Sequence, residues 1–298
     1  MRYITTELLE QYKEHLLEEE KCMATITKYF CDLKKLTDFA NGREITKKLM
    51  IAYKEYLKKD REYKTSSINS FLVAANRFFE YLKWYDLRVK TCKVQQQVFT
   101  PENKDLTKEE YEKLVNTAKR LGKTRIYMIL QTICATGIRV SELTSFTVSS
   151  VKKGVAEIYN KGKERQILLP KDLQFMLLKY IKTLGIKNGP VFRTSTGKAV
   201  DRTNIWREMK KLCKEAGVEE EKVFPHNLRH LFAKTFYEID KDIAKLADVL
   251  GHSSIDTTRI YMRTSSDEHR KQLDLMNLVF GCGEKQVEIQ HNDNYVAT

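Results

Sequence analysis

Phe224-Pro225-His226-Asn227-Leu228-Arg229-His230, followed by Leu250-Gly251-His252-Ser253-Ser254-Ile255-Asp256-Thr257-Thr258-Arg259-Ile260-Tyr261, decides how the chain is to be read. Proline suits the first helical position, where no amide bond is lost and its fixed φ starts the helix. The helix then places His226 and Arg229 on one face, three residues apart. Free amides and the positive end of the macrodipole make a helix N-terminus suitable for an anion such as phosphate, and a guanidinium adds paired hydrogen bonds to two of its oxygens. Taken alone, His-x-x-Arg is also common as ordinary surface chemistry. In the second stretch Gly251 ends one helix and Ser253 or Ser254 can cap the next. His252 then lies in the turn and Tyr261 near the end of the second short helix, so that the two could approach one phosphate from separate elements. The plainer alternative is a half-buried tyrosine with its hydroxyl at the surface.

Upstream, Ala135-Thr136-Gly137-Ile138-Arg139-Val140-Ser141-Glu142-Leu143 has a glycine break just before an arginine, with Glu142 on the same face if a helix restarts there. Such a pair is ordinarily an exposed ion pair of small value. Between these stretches Val155-Ala156-Glu157-Ile158 and Gln166-Ile167-Leu168-Leu169 flank Asn160-Lys161-Gly162-Lys163-Glu164, which predicts a hairpin with lysine at its tip. Helices are expected near 125–135, 172–184, 202–216, 225–238, 242–250, 255–262 and 267–278. Another begins at Thr107-Lys108-Glu109-Glu110, a capping box.

The first ninety or so residues predict four amphipathic helices, about 7–20, 25–40, 46–58 and 66–85, with apolar residues at three- and four-residue spacing. Ile68, Phe71, Leu72, Ala75, Phe78, Phe79 and Leu82 form a stripe better explained as core than as a base-stacking surface. Lys28, Lys34 and Lys35, with Tyr29, could face phosphate, though a solvated face explains each of them as well. From Arg88 to Asp105 the pattern turns polar and aperiodic, and Pro101 cannot continue a helix. The domain boundary belongs there: residues 1–90 as one domain, 91–105 as linker, 106–280 as a second domain, and 281–298 as a disordered tail.

The sequence of 298 residues carries a formal charge of +13, which biases the surface toward a polyanion but does not by itself distinguish nucleic acid from other acidic partners. The six cysteines, Cys22, Cys31, Cys92, Cys134, Cys213 and Cys282, form no C-x-x-C pair, and several sit among apolar residues. Free thiols in a reducing cytoplasm are expected. No apolar run approaches the roughly 20 residues that span a bilayer. No Walker-type loop and no clustered carboxylates of a two-metal nuclease occur, so neither cofactor nor metal is expected.

Taken together, and in this order, the Arg139 segment, the Lys161 hairpin, His226-x-x-Arg229-His230 and Leu-Gly-His252 with Tyr261 resemble the tyrosine recombinase, or phage integrase, family across essentially the whole second domain. The first domain resembles that family's core-binding domain in length and placement. The resemblance implies a mainly α fold with a small β-hairpin in the catalytic domain, preceded by a four-helix core-binding (SAM-like) bundle, the two forming a clamp around double-stranded DNA. It implies that Tyr261 attacks the scissile phosphorus, that Arg139 and Arg229 hold the nonbridging oxygens with His252, that Lys161 protonates the departing 5′-oxygen and that His226 is the general base. Glu142 and His230 take supporting roles, and Lys163 and Arg165 join the lysines of the first domain as DNA contacts.

It further implies a homo-oligomer, a dimer on one site and a tetramer in synapsis, docked through the C-terminal helix with Leu273, Leu275, Met276 and Leu278. Packing of that helix on its own domain is the equal alternative. An accessory DNA-bending or directionality protein is a further expected partner. The chain begins directly with the helical bundle, which implies an Xer-like or invertase-like architecture without the arm-binding module of some phage integrases. A type IB topoisomerase shares the catalytic set, and a DNA-binding regulator would share the fold. The helical first domain and compact size favour a recombinase over the former, and the complete set of six residues over the latter.

Overall fold

A computed structural model describes residues 1–59, 63–93, 105–160, 163–262, 266–276 and 278. The expected tip of the hairpin at Lys161, the centre of the expected linker and the tail therefore lie outside the described residues. The chain divides into two compact units, Met1–Gln96 and Gln97–Thr298.

The first unit holds α1 (Thr6–Glu18), α2 (Met23–Ala40), α3 (Lys47–Lys59) and α4 (Thr65–Tyr81). Ile68, Leu72, Ala75, Phe78 and Phe79 of α4 are buried against Tyr12, Leu33, Leu36 and Tyr53, so the stripe is core, as its spacing predicts. The helix stops at Tyr81, before the expected end at Tyr85, because Lys83 turns left-handed at φ 58° and the Trp84 amide reaches back to the Phe79 carbonyl at 2.8 Å. Beyond it, two asparagines of α4 act as strand partners for the chain. Asn76 exchanges hydrogen bonds with Val89 at 2.8 and 2.9 Å, and Asn69 with Cys92 at 2.9 and 2.7 Å. The polar stretch after Arg88 thus starts as ordered chain pinned to the bundle.

The second unit runs α5 (Lys108–Arg120), α6 (Thr124–Thr136), α7 (Val148–Lys153), β1 (Val155–Asn160), β2 (Lys163–Leu168), α8 (Lys171–Thr183), α9 (Arg202–Ala216), α10 (Pro225–Ile239), α11 (Ile243–Leu250), α12 (Ile255–Arg259) and α13 (Ser266–Leu275). The capping box forms as predicted, with the Thr107 hydroxyl on the Glu110 amide and the Glu110 carboxylate on the Thr107 amide. The helix α7 was not apparent from periodicity: six residues are too few to show it, and Thr147, which caps it, sits in a run of β-branched residues. The strands pair antiparallel with Ile158 opposite Arg165, and Ala156, Ile158 and Ile167 face the core. That core joins α5, α6, α8 and α9 through Leu114, Ile129, Ile133, Leu177, Met209 and Leu212.

A smaller core of Ala233, Leu246, Leu250 and Tyr261 packs α11 and the turn that carries Tyr261 on α10. Cys213 is buried and Cys92 and Cys134 are partly buried, whereas Cys22, at the N-cap of α2, and Cys31 are exposed. None of the five cysteines among the described residues is in a disulfide.

Gly137 ties the fold to the site. It ends α6 at φ 63°, its carbonyl accepts from Arg229, and a Cβ there would stand 2.3 Å from the Phe232 ring of α10. Gly137→Ala is expected to lower stability by about 2 kcal/mol, from left-handed strain and the clash together. Urea unfolding checks this, and an unchanged midpoint would show that α10 yields to the methyl group.

Candidate active site

Arg229 sits on the first turns of α10 at 2% exposure, which for a guanidinium demands a partner for nearly every N–H. Its Nη1 donates to the Gly137 carbonyl at 2.6 Å and its Nη2 to the Leu250 carbonyl at 2.8 Å. Both carbonyls close a helix, α6 and α11, so the cation rests on the negative ends of two macrodipoles. Nη2 also meets His252 Nε2 at 2.9 Å, and Nε donates to the Tyr261 hydroxyl at 3.4 Å.

Arginine can only donate, so His252 Nε2 accepts and the ring proton lies on Nδ1, where it is given to the Thr258 hydroxyl at 2.8 Å. The neutral ring is what the surroundings favour. Burial first, then the charges of Arg229, Arg139 and Arg165, push the His252 pKa down to about 4. His226 is lowered in the same direction by burial and by His230, Arg229 and Arg139.

Tyr261 falls in a 3-10 turn, Ile260–Met262, directly after α12, and is 3% exposed. Its hydroxyl is therefore inside, on Arg229, instead of at the surface. Three imidazoles surround the ring, with centroids at 5.8 Å for His226, 5.0 Å for His230 and 5.7 Å for His252, the last stacked at 15°. His230 is oriented from behind, its Nδ1 lying 3.2 Å from Asp105, which Lys234 also contacts at 3.3 Å. The His230 hydrogen bond, opposed by burial, holds the Asp105 carboxyl below its ordinary range. Nothing in the sequence marks Asp105, because its partner lies on α10 and only the fold brings them together.

Arg139 caps a second 3-10 turn, Val140–Ser145. Glu142 is not the exposed partner that its spacing suggests: it is 5% exposed and accepts from the Arg139 amide at 2.8 Å, Arg139 Nη1 at 3.0 Å and Arg165 Nη2 at 2.7 Å. Burial raises its pKa, but the Arg139 amide and the charges of Arg165 and Arg139 outweigh this and hold the carboxyl below its ordinary value. Arg139, Glu142, Arg165, Gly251, His252 and Thr257 line a cleft of about 420 Å³.

The remaining expected DNA contacts differ from the catalytic set. Arg165 turns inward onto Glu142, because the register places it opposite Ile158, one of the strand residues that face the interior. Lys163 begins β2 opposite Asn160. In the first unit Lys28, itself exposed, pairs with Asp32, a buried carboxylate that also accepts from Ser70 at 2.7 Å. Lys35 lies over the Tyr63 ring at 5.2 Å, and Lys34 is exposed.

A tyrosine hydroxyl bonded to a buried arginine thus lies beside a cleft lined by two further arginines, on a helical unit that carries a hairpin. The chain belongs to the phage integrase family: residues 104–268 match the family's catalytic region, and residues 9–86 match its N-terminal SAM-like domain. It is similar to tyrosine recombinase XerA of Pyrococcus furiosus, 28% identical over 285 residues that cover 93% of this chain and 96% of that protein. It is also similar to tyrosine recombinase XerD of Proteus mirabilis, 28% identical over 284 residues, 87% of this chain and 89% of that one. Among solved structures, a lambda integrase tetramer bound to a Holliday junction shares the fold with a TM-score of 0.69 at 18% identity, over 86% of this chain and 76% of that one. This chain is accordingly a site-specific recombinase of the tyrosine type.

The depressed histidines give a pH signature. A histidine whose folded pKa lies below its unfolded value of about 6.5 contributes stability above that value, and the contribution is lost as pH falls. Unfolding free energy is therefore expected to decline between pH 6.5 and about 4, with His252→Gln flattening part of the slope. Denaturant titrations at stepped pH measure this, and an identical slope in the variant would contradict a neutral His252.

Proposed function

We propose that Tyr261 cleaves one DNA strand and carries it as a 3′-phosphotyrosyl ester until a second strand takes its place. The observation that carries this reading is the Tyr261 hydroxyl resting on Arg229 Nε, which sets the nucleophile beside a cation able to bind phosphate. The phenolic oxygen attacks phosphorus, the bond to the 5′-oxygen breaks, and that oxygen leaves with a proton from Lys161. His226, kept neutral by burial and by nearby cations, accepts the phenolic proton. Arg139 and Arg229 stabilise the charge that develops on the nonbridging oxygens, with His252 beside them and Glu142 and His230 holding the groups in place. One ester replaces another of similar energy, so the 5′-hydroxyl of a partner strand completes the exchange by the reverse reaction.

Exchange of both strands at two sites requires four copies. We assign the contact between copies to α13 and two residues beyond it: Leu273, Leu275, Met276 and Leu278 are all exposed within the single chain, an apolar set that association would remove from water. The excess of 53 Lys and Arg over 40 Asp and Glu supports double-stranded DNA as the substrate, with Lys34 and Lys163 among its phosphate contacts. Among the described residues no helix is long and apolar enough to cross a membrane, and we place the protein in the cytoplasm, where its thiols stay reduced.

Wild type and Tyr261→Phe, incubated with supercoiled plasmid carrying the genomic DNA that flanks the coding sequence and run on denaturing gels, test the reading. A covalent protein–DNA band is expected for wild type and none for the variant, with DNA affinity retained in both. A band with the variant would assign the attack to another residue. Affinity is also expected to fall by orders of magnitude between 50 and 200 mM salt, the range over which ~6–10 phosphate contacts release their counterions; titration showing a flat response would contradict the phosphate contacts.

A further inference from the structure

Arg165 stands outside the six residues assigned above, yet three pieces of chain meet on its side chain. It projects from β2, and its Nη2 donates to Glu142 Oε2 at 2.7 Å, on the turn that also carries Arg139. Its Nη1 reaches the Val249 carbonyl at 3.4 Å, in the last turn of α11 that leads to His252. The Nε is buried and has no partner among the described residues, so the guanidinium keeps donor capacity at the cleft. The backbone leaves room for it at Gly251, where a Cβ would stand 2.3 Å from Nη1 and 2.6 Å from Cδ of Arg165.

The charge count shows what this contact achieves. Glu142 holds Arg139 by its amide and by Nη1, and that pair alone is neutral. A carboxylate with both oxygens free for Arg139 would also engage the fork of the guanidinium with two parallel bonds, the strongest geometry available to it. Donors needed for phosphate would then be spent on Glu142. With Arg165 on Oε2, two cations share one carboxylate, a net positive charge remains at the cleft, and Arg139 gives Glu142 a single side-chain bond.

We propose that Arg165 is a positioning residue for strand cleavage: it occupies Oε2 of Glu142, so that Arg139 keeps its donors and charge for the phosphate, and it joins the hairpin to the turn that bears His252. The proposal rests on the reading of Tyr261 as nucleophile and Arg139 as phosphate ligand. It differs from a DNA-contact role, which would act on affinity, and from a purely structural role, which would act on stability.

The test compares wild type, Arg165→Gln, Arg165→Lys, Glu142→Gln and the Arg165→Gln/Glu142→Gln double variant. Each is assayed for DNA affinity, for thermal midpoint, and for the rate of covalent-band formation at saturating protein on the plasmid described above. Arg165→Gln is expected to slow cleavage by about 100-fold with affinity within about threefold of wild type, the scale of losing one electrostatic contact to the transition state. Arg165→Lys keeps the charge but not the fork, and is expected to recover about tenfold of that loss. In the Glu142→Gln background Arg165→Gln is expected to cost less than about threefold, because the carboxylate it restrains is gone.

A wild-type rate in Arg165→Gln would overturn the proposal, and so would an equal cost in both backgrounds or a loss confined to affinity. Should Arg165→Gln not fold, Arg165→Lys carries the same comparison in the two backgrounds. Absence of the wild-type band removes the Tyr261 reading itself and the proposal with it, an outcome distinct from a wild-type band that the Arg165 variants leave unchanged.

Discussion

A guanidinium buried at 2% exposure without a carboxylate is the constraint on which the second unit depends. Arg229 forms no ion pair with a carboxylate among the described residues, and its charge is met instead by the carbonyls of Gly137 and Leu250. These are partial negative charges at helix ends, so they satisfy the N–H groups without cancelling the cation. That distinction matters for a site proposed to receive phosphate. A carboxylate in the same place would make burial easier and the ligand unwelcome. Arg229 therefore fixes where α6 and α11 end, and it is also the surface on which the Tyr261 hydroxyl waits.

The same economy of charge runs through the rest of the site. Glu142, the one carboxylate in direct contact with Arg139 among the described residues, is shared with Arg165. His252 is kept neutral, so that it adds hydrogen-bonding capacity without a further cation beside Arg229, Arg139 and Arg165. His230 is held by Asp105 from outside the cluster, on the side of the α5 cap. Arg229, His230 and His252, all set around Tyr261, are thus each oriented by a partner from a different element. The small core of Ala233, Leu246 and Leu250 keeps those elements in register.

Much of this is legible in the sequence because the relevant signals are local. Pro225 starts a helix, Gly137 and Gly251 end helices, and the Thr107 box caps one, all within four residues. That Arg139, His226, Arg229, His252 and Tyr261 form one site is implied by the resemblance to the tyrosine recombinase family, and the structure brings all five to the same region of the second unit. What spacing does not show is long-range geometry. Glu142 looks like a surface partner of Arg139 until Arg165 arrives from a strand. Lys28 faces solvent as its spacing suggests, but that spacing does not show that its partner Asp32 is buried. Asp105 and Thr258 acquire meaning only from the histidines that the fold sets against them, and α7 is too short for any periodicity to reveal.

The central claim is that the oxygen resting on Arg229 is the one that bonds to phosphorus. Trapped covalent complex, digested with nuclease and protease and sequenced by mass spectrometry, tests it most directly. The account predicts a residual nucleotide on the peptide containing Tyr261, with the added mass on that side chain. A nucleotide on any other residue, or attachment through a 5′-phosphate, would contradict it.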